Sequence, residues 1–195
     1  MKIAFVHYHL KTGGVTTVLK RQVEAIHGTF DTLVLTGDRA AAELPCQVVE
    51  ITGLGYDQPG VSPPAADVVV ERVLETLNEK WLGGCDILHV HNPTLAKNRQ
   101  FLQIIKRLQQ AGVNLFLQIH DFAEDGRPDL YFTEDYPADC HYGVINARDA
   151  NILLGAGLDG TALHHLPNAV QGLAGNGGRC PKSQILYPVR AIRRK

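Results

Sequence analysis

Apolar residues fall along this chain in blocks, and the blocks change period. Residues 2–8 carry the unbroken apolar run Ile3-Ala4-Phe5-Val6. Such a run, without alternation, predicts a parallel strand covered on both faces. Residues 15–27 switch to helical spacing. Val15, Val18, Leu19, Val23 and Ile26 share one face, and Lys20, Arg21 and Glu24 the other. Residues 31–37 predict a second strand with a glycine stop, and residues 48–51 a short third. Residues 53–64, rich in Gly, Pro and Asp, read as a loop. Pro63-Pro64 is expected to open the next helix, because proline suits a first turn. Val70, Val73, Leu74, Leu77 and Trp81 mark that helix's buried face, and Gly83-Gly84 its end.

Residues 86–91 predict a fourth strand, stopped by Asn92-Pro93. Phe101, Ile104, Ile105 and Leu108 define another amphipathic helix, closed at Gly112, and residues 114–121 a fifth strand. Residues 122–139 lack periodicity and predict a long loop with a helical turn. A sixth strand over 141–145 leads to Asn146, an expected N-cap with Asp149 three residues on, and a helix to about residue 154. Residues 162–166 predict a seventh strand. A glycine-rich stretch over 172–178 and a strand over 183–189 follow.

Alternating strands and helices predict an α/β architecture with a doubly wound parallel sheet and the first strand inside it. Ligands of such sheets bind beyond the carboxyl ends of the strands, at the switch point. Gly13 and Gly14 after the first strand, His91-Asn92-Pro93 after the fourth and His120-Asp121 after the fifth are predicted to share that rim.

The chain has 195 residues, 45% hydrophobic and 20% charged, which is ordinary for a globular protein. A net charge of −1 gives no support to nucleic acid as a partner. Cys46, Cys85, Cys140 and Cys180 form no C-x-x-C pair, so neither a zinc ribbon nor a redox motif is indicated. They read as free thiols of a reducing compartment. No apolar stretch approaches the ~20 residues of a membrane span, and the N-terminus reads as a strand and not as a signal peptide. The expected location is cytoplasmic, with peripheral contact at the inner membrane face left open.

The candidate chemistry starts at His7-Tyr8-His9-Leu10-Lys11-Thr12-Gly13-Gly14. A strand that turns on two glycines into a helix offers unpaired N–H groups and the positive end of the helix dipole. A phosphate or diphosphate is the expected guest, since glycine lets backbone approach it closely. The plainer alternative is a turn that needs positive φ. The stretch matches neither G-x-G-x-x-G nor a P-loop.

In order, Gly13-Gly14, Asp86-Ile87-Leu88-His89-Val90-His91-Asn92, Ile119-His120-Asp121, Leu166-Pro167-Asn168-Ala169-Val170 and Leu186-Tyr187-Pro188-Val189-Arg190 resemble the N-terminal half of a GT-B glycosyltransferase. The family meant is the large retaining group, family 4 or group 1-like, that builds polysaccharides and glycolipids. The resemblance runs over the whole chain. It implies a Rossmann-like domain over 1–170, a linker over 171–183, and over 184–195 the start of a donor-binding domain that is otherwise missing. It implies transfer of a sugar from a nucleotide-sugar donor substrate to a glycan or lipid-linked acceptor, with retention and without a resident cofactor or metal. Gly13 and Gly14 would support the donor diphosphate. His120 and Asp121 would be the catalytic pair, with the imidazole against the transferred sugar. His91 and Asn92 are acceptor or sugar candidates. Arg190 and Lys195 would neutralise the leaving diphosphate, where charge builds as the glycosidic bond breaks. The sequence departs from the family's pattern at Pro188-Val189 and at Ala169, and the family's downstream Glu pair has no counterpart. The chain alone is therefore expected to be inactive, with residues 184–195 packed away from the cleft.

Two other readings remain. His7, His9, His89, His91 and His120 lie near strand ends, and two His-x-His pairs put both rings on one strand face, as a metal-dependent hydrolase would use them. A non-catalytic nucleotide-sugar-binding domain is the third reading, since a fold does not fix a function. Glu124, Asp125 and Asp129 read as a solvated loop cluster.

Overall fold

The computed structural model describes residues 1–38, 43–122 and 128–168. The expected linker over 171–183, the strand over 183–189, Ala169, Val170, Glu124, Asp125, Cys180, Arg190 and Lys195 lie outside the described residues.

The strands are β1 (Lys2–His7), β2 (Asp31–Thr36), β3 (Gln47–Glu50), β4 (Ile87–His91), β5 (Leu115–Ile119), β6 (His141–Val144) and β7 (Leu163–His165). They form one sheet in the order β3-β2-β1-β4-β5-β6-β7, with every neighbouring pair parallel. The helices are α1 (Gly14–Ile26), α2 (Ala66–Lys80), α3 (Phe101–Gln110) and α4 (Ala147–Gly155). The chain winds outward from β1 through β2 to β3, then returns to lay β4 on the other side of β1. This is the Rossmann-like doubly wound sheet that the alternating pattern predicts, with β1 inside it. The switch point lies between the carboxyl ends of β1 and β4.

Both faces are covered. Ala4, Val6, Leu33, Leu35, Leu88, Val90 and Leu117 pack with Val69, Val73 and Leu77 of α2 and Ile104, Ile105 and Leu108 of α3. On the other face, Ile3, Phe5 and Val34 meet Leu19 and Val23 of α1. Burying each such side chain contributes about 1.5–3 kcal/mol, so the apolar positions that set the helical period also hold the layers together.

One local expectation is corrected. Pro63 and Pro64 do not open α2, which starts at Ala66 after an extended Ala65 at φ −59° and ψ 147°. The Pro64 carbonyl accepts from Gln100 Nε2 at 3.1 Å, and its ring lies against Gly53. Those contacts hold the prolines on the rim, ahead of the helix. Asn146 caps α4 as expected, its Oδ1 accepting from Asp149 N–H at 2.9 Å. No helix among the described residues is long and apolar enough to cross a membrane.

Candidate functional site

The loops that follow the first four strands are joined to one another before any ligand arrives. Tyr8, fully buried, donates its hydroxyl to the carbonyls of Leu95 at 2.7 Å and Asn92 at 3.2 Å. Leu10 N–H donates to Asp38 and Gly37 N–H to Tyr8, tying the loop after β1 to that after β2. Gly37 lies against Gly55 so closely that a Cβ would come 1.8 Å from the Gly55 nitrogen. Here glycine serves a close approach of backbones. Asn98, 1% exposed, donates to the carbonyls of Gly53 at 2.7 Å and Gly55 at 2.8 Å. A buried amide is costly unless bonded, so Asn98 fixes residues 53–57 against the segment after β4.

Gly13 and Gly14 sit inside this frame. Gly13 is extended, with φ −179° and ψ 167°, and Gly14 opens α1. Neither has a positive φ. A Cβ on Gly14 would meet nothing within 4 Å, and one on Gly13 only the Lys11 carbonyl at 3.8 Å. The plainer reading, a turn that needs positive φ, is therefore corrected: the backbone here is open to any residue. The start of α1 also has no side-chain cap and no acidic residue in its first turn. Thr16 and Thr17 send their hydroxyls back to the carbonyls of Lys11 and Gly13 and leave the leading N–H groups alone.

Across the switch point, Asn92 takes a left-handed conformation, φ 52°, which asparagine tolerates. Its Oδ1 accepts from His120 N–H at 2.9 Å, and its Nδ2 donates to Asp121 Oδ2 at 3.3 Å. Asn92 is 1% exposed and holds the end of β5 to the end of β4. Gly13, Gly14, Asn92 and Asp121 line one cavity of about 170 Å³, together with His7, His9, Tyr56 and Lys97. His91 and His120 are not in that lining. His91 is 0% exposed and so reaches a ligand only through its neighbours. Its Nδ1 lies 3.0 Å from His120 Nε2, and the two rings stack at 5.2 Å.

Hydrogen-bond satisfaction assigns the proton of that pair. His91 Nε2 is buried without a partner. If His91 donates from Nδ1, the orphan is a bare lone pair; the other tautomer buries an unpaired N–H, the rarer and costlier case. His120 then carries its own proton on Nδ1.

The remaining histidines extend the stack. His89 and His91 lie parallel, 4.7 Å apart, and His89 Nε2 bonds to Gln118 Oε1 at 2.9 Å. Burial, reinforced by neighbouring imidazoles, lowers His7 to about 3 and holds His91 well below the usual histidine range. Burial likewise lowers His89 to about 4 and His120 to about 4, the latter against the opposing pull of Asp121. All four are neutral at pH 7. Of the two His-x-His pairs expected to suit a metal, His89 and His91 are bonded to Gln118 and His120, and among the described residues no group of three or more His, Cys, Asp or Glu is placed to hold one.

Tyr56, Lys97 and Asn98 went unread in the sequence. Each lies in a loop, where no periodicity marks a residue; only the order of strands brings the three to the rim. A second, larger cleft of about 840 Å³ opens beside Thr94 and Ile119, with Phe122, Tyr131, Tyr136 and Tyr142 in its walls. It belongs to the long loop before β6.

No family model matches the chain. Over 97% of its length it is 25% identical to mannosylglucosyl-3-phosphoglycerate synthase of Petrotoga mobilis, and it spans 45% of that relative. A crystal structure of UDP-N-acetylglucosamine 2-epimerase aligns with 84% of the chain and 47% of its own, at 11% identity and TM-score 0.49. A Listeria monocytogenes protein assigned the same activity aligns with 83% of the chain and 43% of its own, at 14% identity and TM-score 0.46.

Proposed function

We propose that this chain is the acceptor-side half of a glycosyltransferase that uses a nucleotide-sugar donor. The observation that carries the reading is the pair Gly13-Gly14. Neither strain nor crowding calls for glycine there, yet the pair opens an uncapped helix at the switch point. A donor diphosphate explains both features. It needs backbone without a Cβ, and it takes up N–H groups that a side chain would otherwise satisfy. The likeness to a synthase whose product is a glycosylated phosphoglycerate supports the same class.

In this reading the bond from the anomeric carbon to the diphosphate breaks as one to an acceptor hydroxyl forms. The hydroxyl's proton leaves with the diphosphate. Asp121, held by Asn92, hydrogen-bonds the acceptor hydroxyl. His120, neutral and with its tautomer fixed by His91, lies next to Asp121 of that lining and would hydrogen-bond the transferred sugar, as the family resemblance implies. Retention of configuration and roles for Arg190 and Lys195 on the leaving group belong to the proposal as the family resemblance implies them.

Titration of the chain with UDP, GDP and ADP beside the matching nucleosides tests the reading. One diphosphate should bind at least tenfold more tightly than its nucleoside. Equal binding of every diphosphate and its nucleoside would overturn it.

A further inference from the structure

The cavity at the glycine turn is also lined by a cationic side chain, Lys97. Lys97 places its ammonium 4.7 Å over the ring of Tyr56, and both line the cavity. The neighbouring cations on this rim are already paired, Lys11 with Asp38 at 2.6 Å and Arg99 with Asp57 at 3.5 Å. Lys97 has no carboxylate partner among the described residues. A cation over a ring gains only about 0.5–1 kcal/mol at an exposed site, and the ring face leaves ammonium N–H donors unused.

The platform under it is built. Asn98, buried, ties residues 53–55 to this segment, and Asp57 N–H donates to the Lys97 carbonyl at 2.8 Å. His9 stands edge-on to Tyr56 at 5.0 Å, with its Nδ1 buried and unpartnered. His7, 2% exposed, also lines the cavity, and its Nδ1 too is buried and unpartnered. Burial, with the Asp121 carboxylate, holds the Tyr56 phenol above its usual range, so it remains a hydrogen-bond donor. Asp121, the acidic residue of this lining, is tethered to Asn92.

We propose that Lys97 and Tyr56 form a subsite for an oxyanion, phosphate or carboxylate, carried by the acceptor. The assignment to the acceptor rests on the sugar-transfer reading, in which the N-terminus of α1 takes the donor diphosphate. The oxyanion subsite itself does not. Lys97 and Tyr56 come from the loops after β4 and β3, a different pair of connections from the glycine turn. The acceptor is then an acidic small molecule, a sugar or polyol bearing a phosphate or carboxylate.

The test is binding of D-3-phosphoglycerate, inorganic phosphate and glycerol to the full chain, with UDP, GDP and ADP titrated separately; UDP below stands for whichever of the three binds best. 3-Phosphoglycerate and phosphate should bind more tightly than glycerol. Lys97→Ala should weaken 3-phosphoglycerate about tenfold, Lys97→Arg should restore most of the loss, and UDP affinity should stay within twofold in both. The UDP titration also reports that the variants are folded. Binding of 3-phosphoglycerate no tighter than glycerol, or unchanged by Lys97→Ala, overturns the subsite. Equal weakening of UDP and 3-phosphoglycerate overturns its assignment to the acceptor. If none of UDP, GDP and ADP binds while 3-phosphoglycerate still depends on Lys97, the oxyanion subsite stands and the transfer reading falls.

Discussion

On one face of the sheet, Leu33, Leu35, Leu88, Val90 and Leu117 meet the apolar sides of α2 and α3. On the other, strands β1, β4 and β5 present His7, His89, His91 and Gln118 beside the apolar cluster of Ile3, Phe5 and Val34 with Leu19 and Val23 of α1. The difference follows from alternation. In β4, Leu88 and Val90 point one way and Ile87, His89 and His91 the other. The first face is held by area removed from water, which no proton changes. The second adds to its apolar cluster rings that bond and stack, and burial favours their neutral form. The site grows from that second face, where polar groups already lie at the rim.

Acid separates the two faces most strongly. The folded values of His7, His89, His91 and His120 lie below the ordinary 6.5, so the unfolded chain binds protons first as pH falls. Stability is complete above about pH 6.5 and is lost from there toward the folded values of about 4 and 3. Each histidine can cost up to about 2 kcal/mol by pH 5. A cost of that size is a large fraction of the roughly 5–15 kcal/mol that a domain has. Far-UV circular dichroism should show cooperative unfolding between pH 6.5 and 4.5. A melting temperature that is the same at pH 7.5 and pH 5 would erase the distinction between the faces.

Ile104→Ala probes the apolar face. Ile104 is 1% exposed under α3, and its truncation should cost about 3 kcal/mol. Denaturant titration should give the same loss at pH 8 and pH 6. A loss that grows as pH falls would mean that the two layers titrate together.

Gly13→Ser carries the smallest change in stability and compares two helix starts. α4 is closed by Asn146, and α1 is left open. A serine at the cap position should stabilise the fold by only a few tenths of a kcal/mol. Its hydroxyl would take an N–H that the phosphate needs, so nucleoside diphosphate affinity should fall about threefold or more. A rise in melting temperature with unchanged affinity would show that the open start of α1 has no guest.

The apolar face was readable because burial there writes a period into the sequence. Val70, Val73 and Leu77 of α2, and Ile104, Ile105 and Leu108 of α3, fall where the helical spacing places them. Seven strands and the Asn146 cap follow from the same kind of local signal. The site was readable only in part. Gly13, Gly14, Asn92 and Asp121 could be placed on the rim from strand order and do meet there. His91 was expected to touch a ligand, but its ring is enclosed, because an inward position in β4 and a neighbour in β5 decide its exposure. Lys97 and Tyr56 meet only through the contact of two loops, made by Asn98, which no window of sequence contains.

The central claim is that phosphate approaches the backbone at Gly14. Gly14→Val tests it most directly, because a side chain there meets nothing within 4 Å in the folded chain. Titration of wild type and variant with the nucleoside diphosphate that wild type binds best should show affinity at least tenfold weaker in the variant, about 1.4 kcal/mol. Its melting temperature should stay within about 3 °C of wild type, since valine is no worse a helix former than the glycine it replaces. A folded Gly14→Val protein that binds the diphosphate as tightly as wild type would contradict the account.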